Sequence, residues 1–284
     1  MREIKTVLTI AGSDSCGGAG IQADIKTISS LGLYAASAIT AVTAQNTMGV
    51  RGIEAVSPAM LSAQIEAVLE DFDVKAIKIG MIYNSENVTA IKKSLLKCNY
   101  QGPIVLDPVL VATSGDPLSS DNLINAMKTE LFPMATIVTP NIPEAEALSG
   151  MEVKSIEEMR HAAKKIIADT GVKNVLVKGG HGLGNEMTDL LICSNGMERL
   201  FLNLRIETRN THGTGCTLSS AIASYMTSIK PLRKAITQAT RYVHKAIIHA
   251  KDLETGHGHG SLNHLFHPKE MITTEIVQTN VSSD

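Results

Sequence analysis

Thr6-Val7-Leu8-Thr9-Ile10-Ala11-Gly12-Ser13-Asp14, followed by Gly17-Gly18-Ala19-Gly20-Ile21-Gln22-Ala23-Asp24, is the stretch that decides the fold. An apolar run of strand length, Thr6–Ala11, ends at a glycine. Beyond the next glycines, Ile21, Ile25, Ile28 and Leu31 fall at helical spacing, so Ala19–Leu31 reads as a helix stopped by Gly32. Strand, glycine loop, helix is the opening unit of a parallel α/β sheet. The same rhythm continues, with strands expected at Ala36–Thr43, Ala76–Ile79, Ile104–Leu106, Thr136–Val138 and Asn174–Val177. Helices are expected near Pro58–Glu70, Ser85–Lys97, Ser119–Leu131 and Ser155–Thr170. Strands that are apolar throughout belong to a mostly parallel sheet covered on both faces.

After Asp189 the order changes. Leu190–Cys193 and Glu198–Leu202 read as two strands joined at Asn195-Gly196 by a type I′ turn. Two long helices follow, at about Gly215–Ser228 and Pro231–Thr255. Residues 1–270 read as a single domain, and 271–284 as a polar, frayed tail.

Composition narrows the function. The 284 residues carry 26 Lys+Arg against 28 Asp+Glu, a net charge of −2, which argues against nucleic-acid and polybasic membrane partners. With no Trp, five Tyr and four Phe there is little stock for stacking bases. No apolar run approaches the ~20 residues of a spanning helix. Cys16, Cys98, Cys193 and Cys216 form no C-x-x-C pair and read as free thiols of a cytosolic protein.

In an open parallel sheet the ligand sits beyond the carboxyl ends of the strands, and the loops there hold the chemistry. Gly18-Ala19-Gly20-Ile21-Gln22-Ala23 matches the dinucleotide pattern formally, but Ser37–Gln45 lacks the acidic residue that would hold a ribose hydroxyl. No Walker A sequence occurs. The glycines read either as a flexible turn or as a place where backbone approaches a small substrate. Asn210-Thr211-His212-Gly213-Thr214-Gly215-Cys216-Thr217 puts glycines immediately before a helix, where exposed N–H groups and the helix dipole suit a phosphate. Cys216 in the first turn reads as a base or nucleophile with a lowered pKa, or else as a buried thiol at an ordinary helix start.

Asn141-Ile142-Pro143-Glu144 suits helix capping, and equally two oxygen donors that orient water and Mg²⁺. Lys178, before Gly179, Gly180 and His181, reads as a phosphate contact or a solvated charge, and Asp107 as a holder of metal-bound water. His257 and His259 on a glycine loop, with His264 and His267, raise a transition-metal site, against the simpler reading of a mobile loop.

These segments together resemble the bacterial hydroxymethylpyrimidine/phosphomethylpyrimidine kinases. Thr9–Asp14, Gly17–Asp24, Ala44-Gln45-Asn46-Thr47, Lys78-Ile79-Gly80-Met81 and Asp107-Pro108-Val109 carry the resemblance. So do Thr139–Ala145, Lys178–His181, Thr211–Thr217 and Gly256–Gly260 with Asn263-His264, in register over nearly the whole chain. The resemblance implies a ribokinase-like three-layer α/β/α sandwich, usually a homodimer. It implies Mg²⁺-dependent transfer from ATP to 4-amino-5-hydroxymethyl-2-methylpyrimidine, then to its monophosphate, in thiamine biosynthesis.

Carried over by motif, Gln45 holds the aminopyrimidine while Gly12, Asp24 and Met81 shape its pocket. Cys216 is the base, and the backbone of Gly213, Thr214, Gly215 and Cys216 is the anion hole. Lys178, Asn141, Glu144 and Thr211 serve ATP, with Asp107 and Glu144 near Mg²⁺. Cys16 stands where a Ser or Gly is expected, implying a second reactive thiol; Leu110 and Thr113 stand where the family more often has Met and Lys.

Three rivals remain open. A pyridoxal kinase of the same subfamily acts on another flat heteroaromatic bearing a hydroxymethyl group. A Cys216 acyl transferase would need His212 as base and a third group to hold it. A sensor binding the pyrimidine without turnover would have no use for Asn141, Glu144, Lys178 and Cys216 together.

Overall fold

The computed structural model describes residues 2–110, 121–179 and 186–275. Its strands are β1 (Arg2–Ile4), β2 (Thr6–Asp14), β3 (Tyr34–Asn46), β4 (Gly49–Ala55), β5 (Val74–Ile79) and β6 (Ile104–Leu106). They continue with β7 (Ile137–Val138), β8 (Asn174–Val177), β9 (Glu186–Cys193), β10 (Glu198–Leu204) and β11 (Thr273–Glu275). The helices are α1 (Gly20–Ser30), α2 (Pro58–Asp71), α3 (Ser85–Lys97), α4 (Asp121–Ala126), α5 (Ile142–Ser149), α6 (Ile156–Thr170), α7 (Thr214–Met226) and α8 (Leu232–Ile248).

Among the described residues the central sheet has nine strands in the order β10-β9-β8-β7-β6-β5-β2-β3-β4. The run from β3 to β8 is parallel, and antiparallel strands close both edges. Side chains alternate across each strand, so neighbours such as Val7 and Leu8 enter opposite cores. Leu8 packs with Leu61 of α2, Ile91 of α3 and Ile166 of α6. Val7 packs with Ile28 of α1, Ile222 of α7 and Val243 of α8. The expected α/β/α sandwich follows from these two apolar layers.

Helix ends are written locally. The Ser57 hydroxyl accepts from Met60 N at 3.3 Å ahead of Pro58, and Ser155 caps α6, which Gly171 stops at φ 73°. Several expectations need correction. Asn195 keeps a negative φ, and only Gly196, at φ 85°, enters the left-handed region. Gly196 N bonds Cys193 O, and Cys193 N bonds Met197 O, so the β9–β10 loop is a three-residue turn with a glycine bulge rather than type I′. α8 ends at Ile248 instead of Thr255 because the Asn210 amide draws in Ala250 O at 2.6 Å and Leu253 O at 2.7 Å. Thr273–Glu275 pairs with β1, so that part of the expected tail is ordered. Residues 276–284, Ser119, Thr113, Gly180 and His181 lie outside the described residues.

Candidate active site

The loops beyond the carboxyl ends of β2, β5, β6, β7 and β8 line one cavity of about 600 Å³. Gly12, Thr43, Gln45, Ile53 and Met81 form the end under β3 and β4. Met187, Leu204, Ile206, Val243 and Ile247 form an apolar cleft at the other end, between the β9–β10 hairpin and α8. Strand order places these ends on opposite sides of the glycine loop that begins α7. One continuous cavity thus runs from end to end past Thr211–Cys216.

That loop is held in place by close backbone packing. Gly213, at φ 83°, precedes α7, and a Cβ there would lie 1.9 Å from Gly18 O. Thr214 N is taken by Thr211 O, and Thr217 N by Gly213 O. The first N–H groups of a helix lack intrahelical acceptors, which leaves those of Gly215 and Cys216 for a ligand. A Cβ on Gly215 would crowd Lys178 Nζ at 3.2 Å.

Beside the loop lies a buried charge cluster. Lys178 Nζ bonds Asp107 Oδ1 at 2.7 Å and stands 4.0 Å from Glu144 Oε2. The Thr139 hydroxyl donates to Asp107 Oδ1 at 3.0 Å. Burial tends to raise Asp107, but Lys178 and Lys78 outweigh it and hold the carboxyl below its ordinary range. Burial pushes Glu144 up to about 7 against the pull of Lys178. Asn141 and Glu144 form a capping box on α5, with Asn141 N donating to Glu144 Oε2 at 2.7 Å and Glu144 N to Asn141 Oδ1 at 2.9 Å. Capping and the site coincide, because the cap holds Glu144 beside Lys178.

Asp14 fixes the first glycine loop. Its carboxylate accepts from Gly18 N, Ala19 N and Cys16 N, at 3.1, 2.8 and 3.0 Å, and stands 2.9 Å from His212 Nε2. Burial acts to raise Asp14, yet these hydrogen bonds, His212's first, hold it well below the usual carboxylate range. A Cβ on Gly18 would meet the His212 ring at 2.4 Å, and one on Gly20 would meet Gly12 O at 2.4 Å. These glycines are demanded by neighbouring protein, and Gly20 in addition lines the cavity.

The sequence profile of the phosphomethylpyrimidine kinase family matches residues 14–263. The chain belongs to that family. It is 51% identical over 261 residues to the hydroxymethylpyrimidine/phosphomethylpyrimidine kinase of Rhizobium meliloti, covering 92% of this chain and 96% of that one. It is 47% identical over 260 residues to the thiamine biosynthesis bifunctional protein ThiED of Geobacter sulfurreducens, where 92% of this chain spans 52% of the relative. The pyridoxal kinase of Staphylococcus aureus, in complex with AMP-PCP and pyridoxal, superposes with a TM-score of 0.83 at 30% identity, covering 93% of this chain and 94% of that one. The fold is ribokinase-like, as the resemblance implied.

Most residues expected in a phosphomethylpyrimidine kinase site meet in the cavity: Gly12, Gln45, Met81, Asp107, Asn141, Glu144, Lys178, Thr211 and Gly213–Cys216. Asp24 does not. It is fully buried below the cavity, bonded to Lys78 at 2.7 Å, Thr9 at 2.6 Å and Ser220 at 2.5 Å. The lowered pKa, one of the two readings of Cys216, is also reversed. Burial pushes Cys216 up to about 11, aided by Asp24 and Asp107 and opposed by Lys78. Burial and the Asp14 carboxylate raise Cys16 as well.

The His257–His259 loop is tied to Thr47 by His259 N and Gly258 N, each at 3.0 Å. Among the described residues the grouping with metal-ligand spacing is Asp14, Cys16 and His212 instead. Sequence reading named His212 only as the base of a rival acyl transferase, and it missed the role of Asp14 and the apolar cleft of Leu204, Ile206 and Val243. Leu204, which lines that cleft, is 66% exposed.

Proposed function

We propose that this chain transfers the γ-phosphoryl group of ATP to the hydroxymethyl oxygen of 4-amino-5-hydroxymethyl-2-methylpyrimidine, and then to the monophosphate so formed. The observation that carries the reading is the convergence of the Gly215 and Cys216 N–H groups and Lys178 between the two ends of one cavity. Phosphoryl transfer needs chiefly positioning and charge neutralisation, and this arrangement supplies both. Gln45 holds the aminopyrimidine at the β3–β4 end, with Gly12 and Met81 closing around it. The nucleotide lies in the apolar cleft beside α8, its phosphates on Lys178, Thr211 and the α5 cap of Asn141 and Glu144.

In the first transfer the acceptor oxygen bonds to the γ-phosphorus as the bond to the ADP oxygen breaks, and ADP leaves with that electron pair. The hydroxyl proton passes to Cys216 Sγ in its thiolate form. In the second transfer the acceptor is already a phosphate oxygen, and no hydroxyl proton has to move.

Two buried carboxylates make an oxygen donor set that suits a hard cation, and Asp107 Oδ2 carries only a long, 3.4 Å bond from Ser219. Asp107 and Glu144 would thus hold Mg²⁺, which supplies neutralisation of the phosphate charge when bound with ATP. The same reading takes residues 1–270 as one kinase domain of a cytosolic homodimer. No helix among the described residues is long and apolar enough to cross a membrane.

The test is ADP release with Mg-ATP, with products resolved by mass. Diphosphate from the wild type and a loss of about 10²–10⁴-fold in the first transfer by Cys216→Ala support the assignment. The likeness to a pyridoxal kinase holding pyridoxal favours one alternative, vitamin B6 phosphorylation. Turnover of pyridoxal alone would move the function there.

A further inference from the structure

Lys78 and Asp24 form a buried ion pair that the transfer described above does not use. Both side chains are 0% exposed, with Lys78 Nζ 2.7 Å from Asp24 Oδ2. Removing two charges from water costs several kcal/mol per ion, and apolar side chains of the same volume often serve stability as well. The pair's position gives it a function.

α1 and α7 run side by side from the floor of the cavity and touch at two levels. At the upper level the backbone of Gly20, at the start of α1, acts on the Cys216 thiol and favours its ionised form. One turn lower, the Ser220 hydroxyl donates to Asp24 Oδ1 at 2.5 Å. Lys78 enters this lower level from β5, and Gly80 is bare beside it, since a Cβ there would lie 2.5 Å from Lys78 Nζ. Asp107 belongs to the same layer through Ser219, the neighbour of Ser220. Lys178, Asp107, Lys78 and Asp24 thus make a row of alternating charge beneath the glycine loop, with consecutive serines of α7 holding its two carboxylates. All four act on Cys216, two cations against two anions.

We propose that Lys78 is a positioning residue for phosphoryl transfer: its ammonium, locked by Asp24, is the fixed positive charge beneath Cys216 that supports the thiolate and the anion forming above it. The inference rests on the assignment of Cys216 as the group that takes the hydroxyl proton. Burial raises the thiol, and Lys78 is the largest influence opposing that rise.

The test compares wild type with the neutral-pair variant Asp24→Asn/Lys78→Met. Three quantities are read: iodoacetamide alkylation of Cys216 in the free enzyme, located by mass, kcat and KM for each transfer, and thermal melting. The expected result is an alkylation rate down about tenfold, and first-transfer kcat down about tenfold with both KM values little changed. The second transfer, which moves no hydroxyl proton, should fall by less than about threefold. Unchanged alkylation, or equal losses in both transfers, would overturn the proposal and leave the pair a structural one. If the double variant fails to melt cooperatively, Asp24→Asn alone provides the opposite sign, because it removes the anion and keeps Lys78. Alkylation should then rise about threefold, and a fall or no change refutes the idea. Alkylation is read without substrate, so a kinase assignment that fails on turnover does not disturb this arm.

Discussion

Gly213→Ala separates backbone strain from catalytic geometry. Two penalties are written at this position. The first is conformational: at φ 83° an alanine sits in the left-handed region, at about 1–2 kcal/mol. The second is steric, because the new Cβ would stand 1.9 Å from Gly18 O and 2.9 Å from Gly18 C, both backbone atoms. Contacts under 3.0 Å force something to shift, so the α7 loop and the first glycine loop must part by about 1 Å. On the proposed assignment that movement carries the Gly215 and Cys216 N–H groups off the transferring phosphoryl, and a misplacement of about 1 Å can cost about 100-fold in rate.

Gly171→Ala is the matched control. It has φ 73° with nothing within 4 Å of the added Cβ, and it lies at the amino end of β8, away from the site. Both variants should lose about 2–4 °C in Tm per kcal/mol, but only Gly213→Ala should lose kcat. The assay is initial-rate ADP release with saturating Mg-ATP and pyrimidine, beside a thermal melt. A Gly213→Ala enzyme within threefold of wild-type kcat, or a Gly171→Ala enzyme equally impaired, would refute the reasoning.

Three further outcomes follow from the site. Gln45→Ala should raise KM for the pyrimidine about 3–10-fold and leave KM for ATP alone, which steady-state kinetics with each substrate varied will check. Cys216→Asp should keep much of the first transfer but lose about tenfold or more of the second, since a permanent carboxylate repels a phosphate acceptor; full second-step activity in a mass-resolved time course would sink this account. His264 is buried against the Thr217 hydroxyl at 3.0 Å, and burial depresses it to about 4 from 6.5. Its folded-state pKa lies below the unfolded one, so its neutral form stabilises the fold above pH 6.5 and that contribution is lost as pH falls toward 4. Urea melts at about pH 7.5 and about pH 5 should show wild type losing ~2 kcal/mol more than His264→Asn.

The parallel core was legible because its strands are uninterrupted apolar runs bounded by glycine, asparagine or proline. Ile104–Leu106 and Asn174–Val177 have the same bounds in the sequence reading and in the structure. The antiparallel edges were less so. β4, Gly49–Ala55, alternates weakly and contains Gly52 and two charged residues, so no period marks it; it exists because β3 offers an open edge. The site residues at strand ends could be found from sequence because the topology alone puts them on one edge of the sheet. Asp14 and His212 could not, since their value lies in a 2.9 Å contact across 198 positions. The direction of the Cys216 shift failed for a related reason. A helix N-terminus lowers a thiol pKa through local dipoles, whereas burial under Asp24 and Asp107 is a tertiary fact that outweighs it.

On the proposed assignment, a thiol that rests protonated and acts as base only through its thiolate form is well matched to a site with two acceptors. The row of Lys178, Asp107, Lys78 and Asp24 sums to zero, so with a neutral Cys216 the glycine loop faces no net charge from below. A hydroxyl acceptor then arrives at a thiol whose ionisation Lys78 supports, and a phosphate acceptor arrives at the same thiol with no carboxylate to repel it. A permanent carboxylate at position 216 would assist the first acceptor and oppose the second by a Coulomb term of several kcal/mol at ~4 Å in an effective dielectric near ~20. The thiol gives up basicity at neutral pH for that tolerance, and the buried ammonium restores part of it only when negative charge develops. One glycine loop can in this way serve two successive transfers of opposite demand.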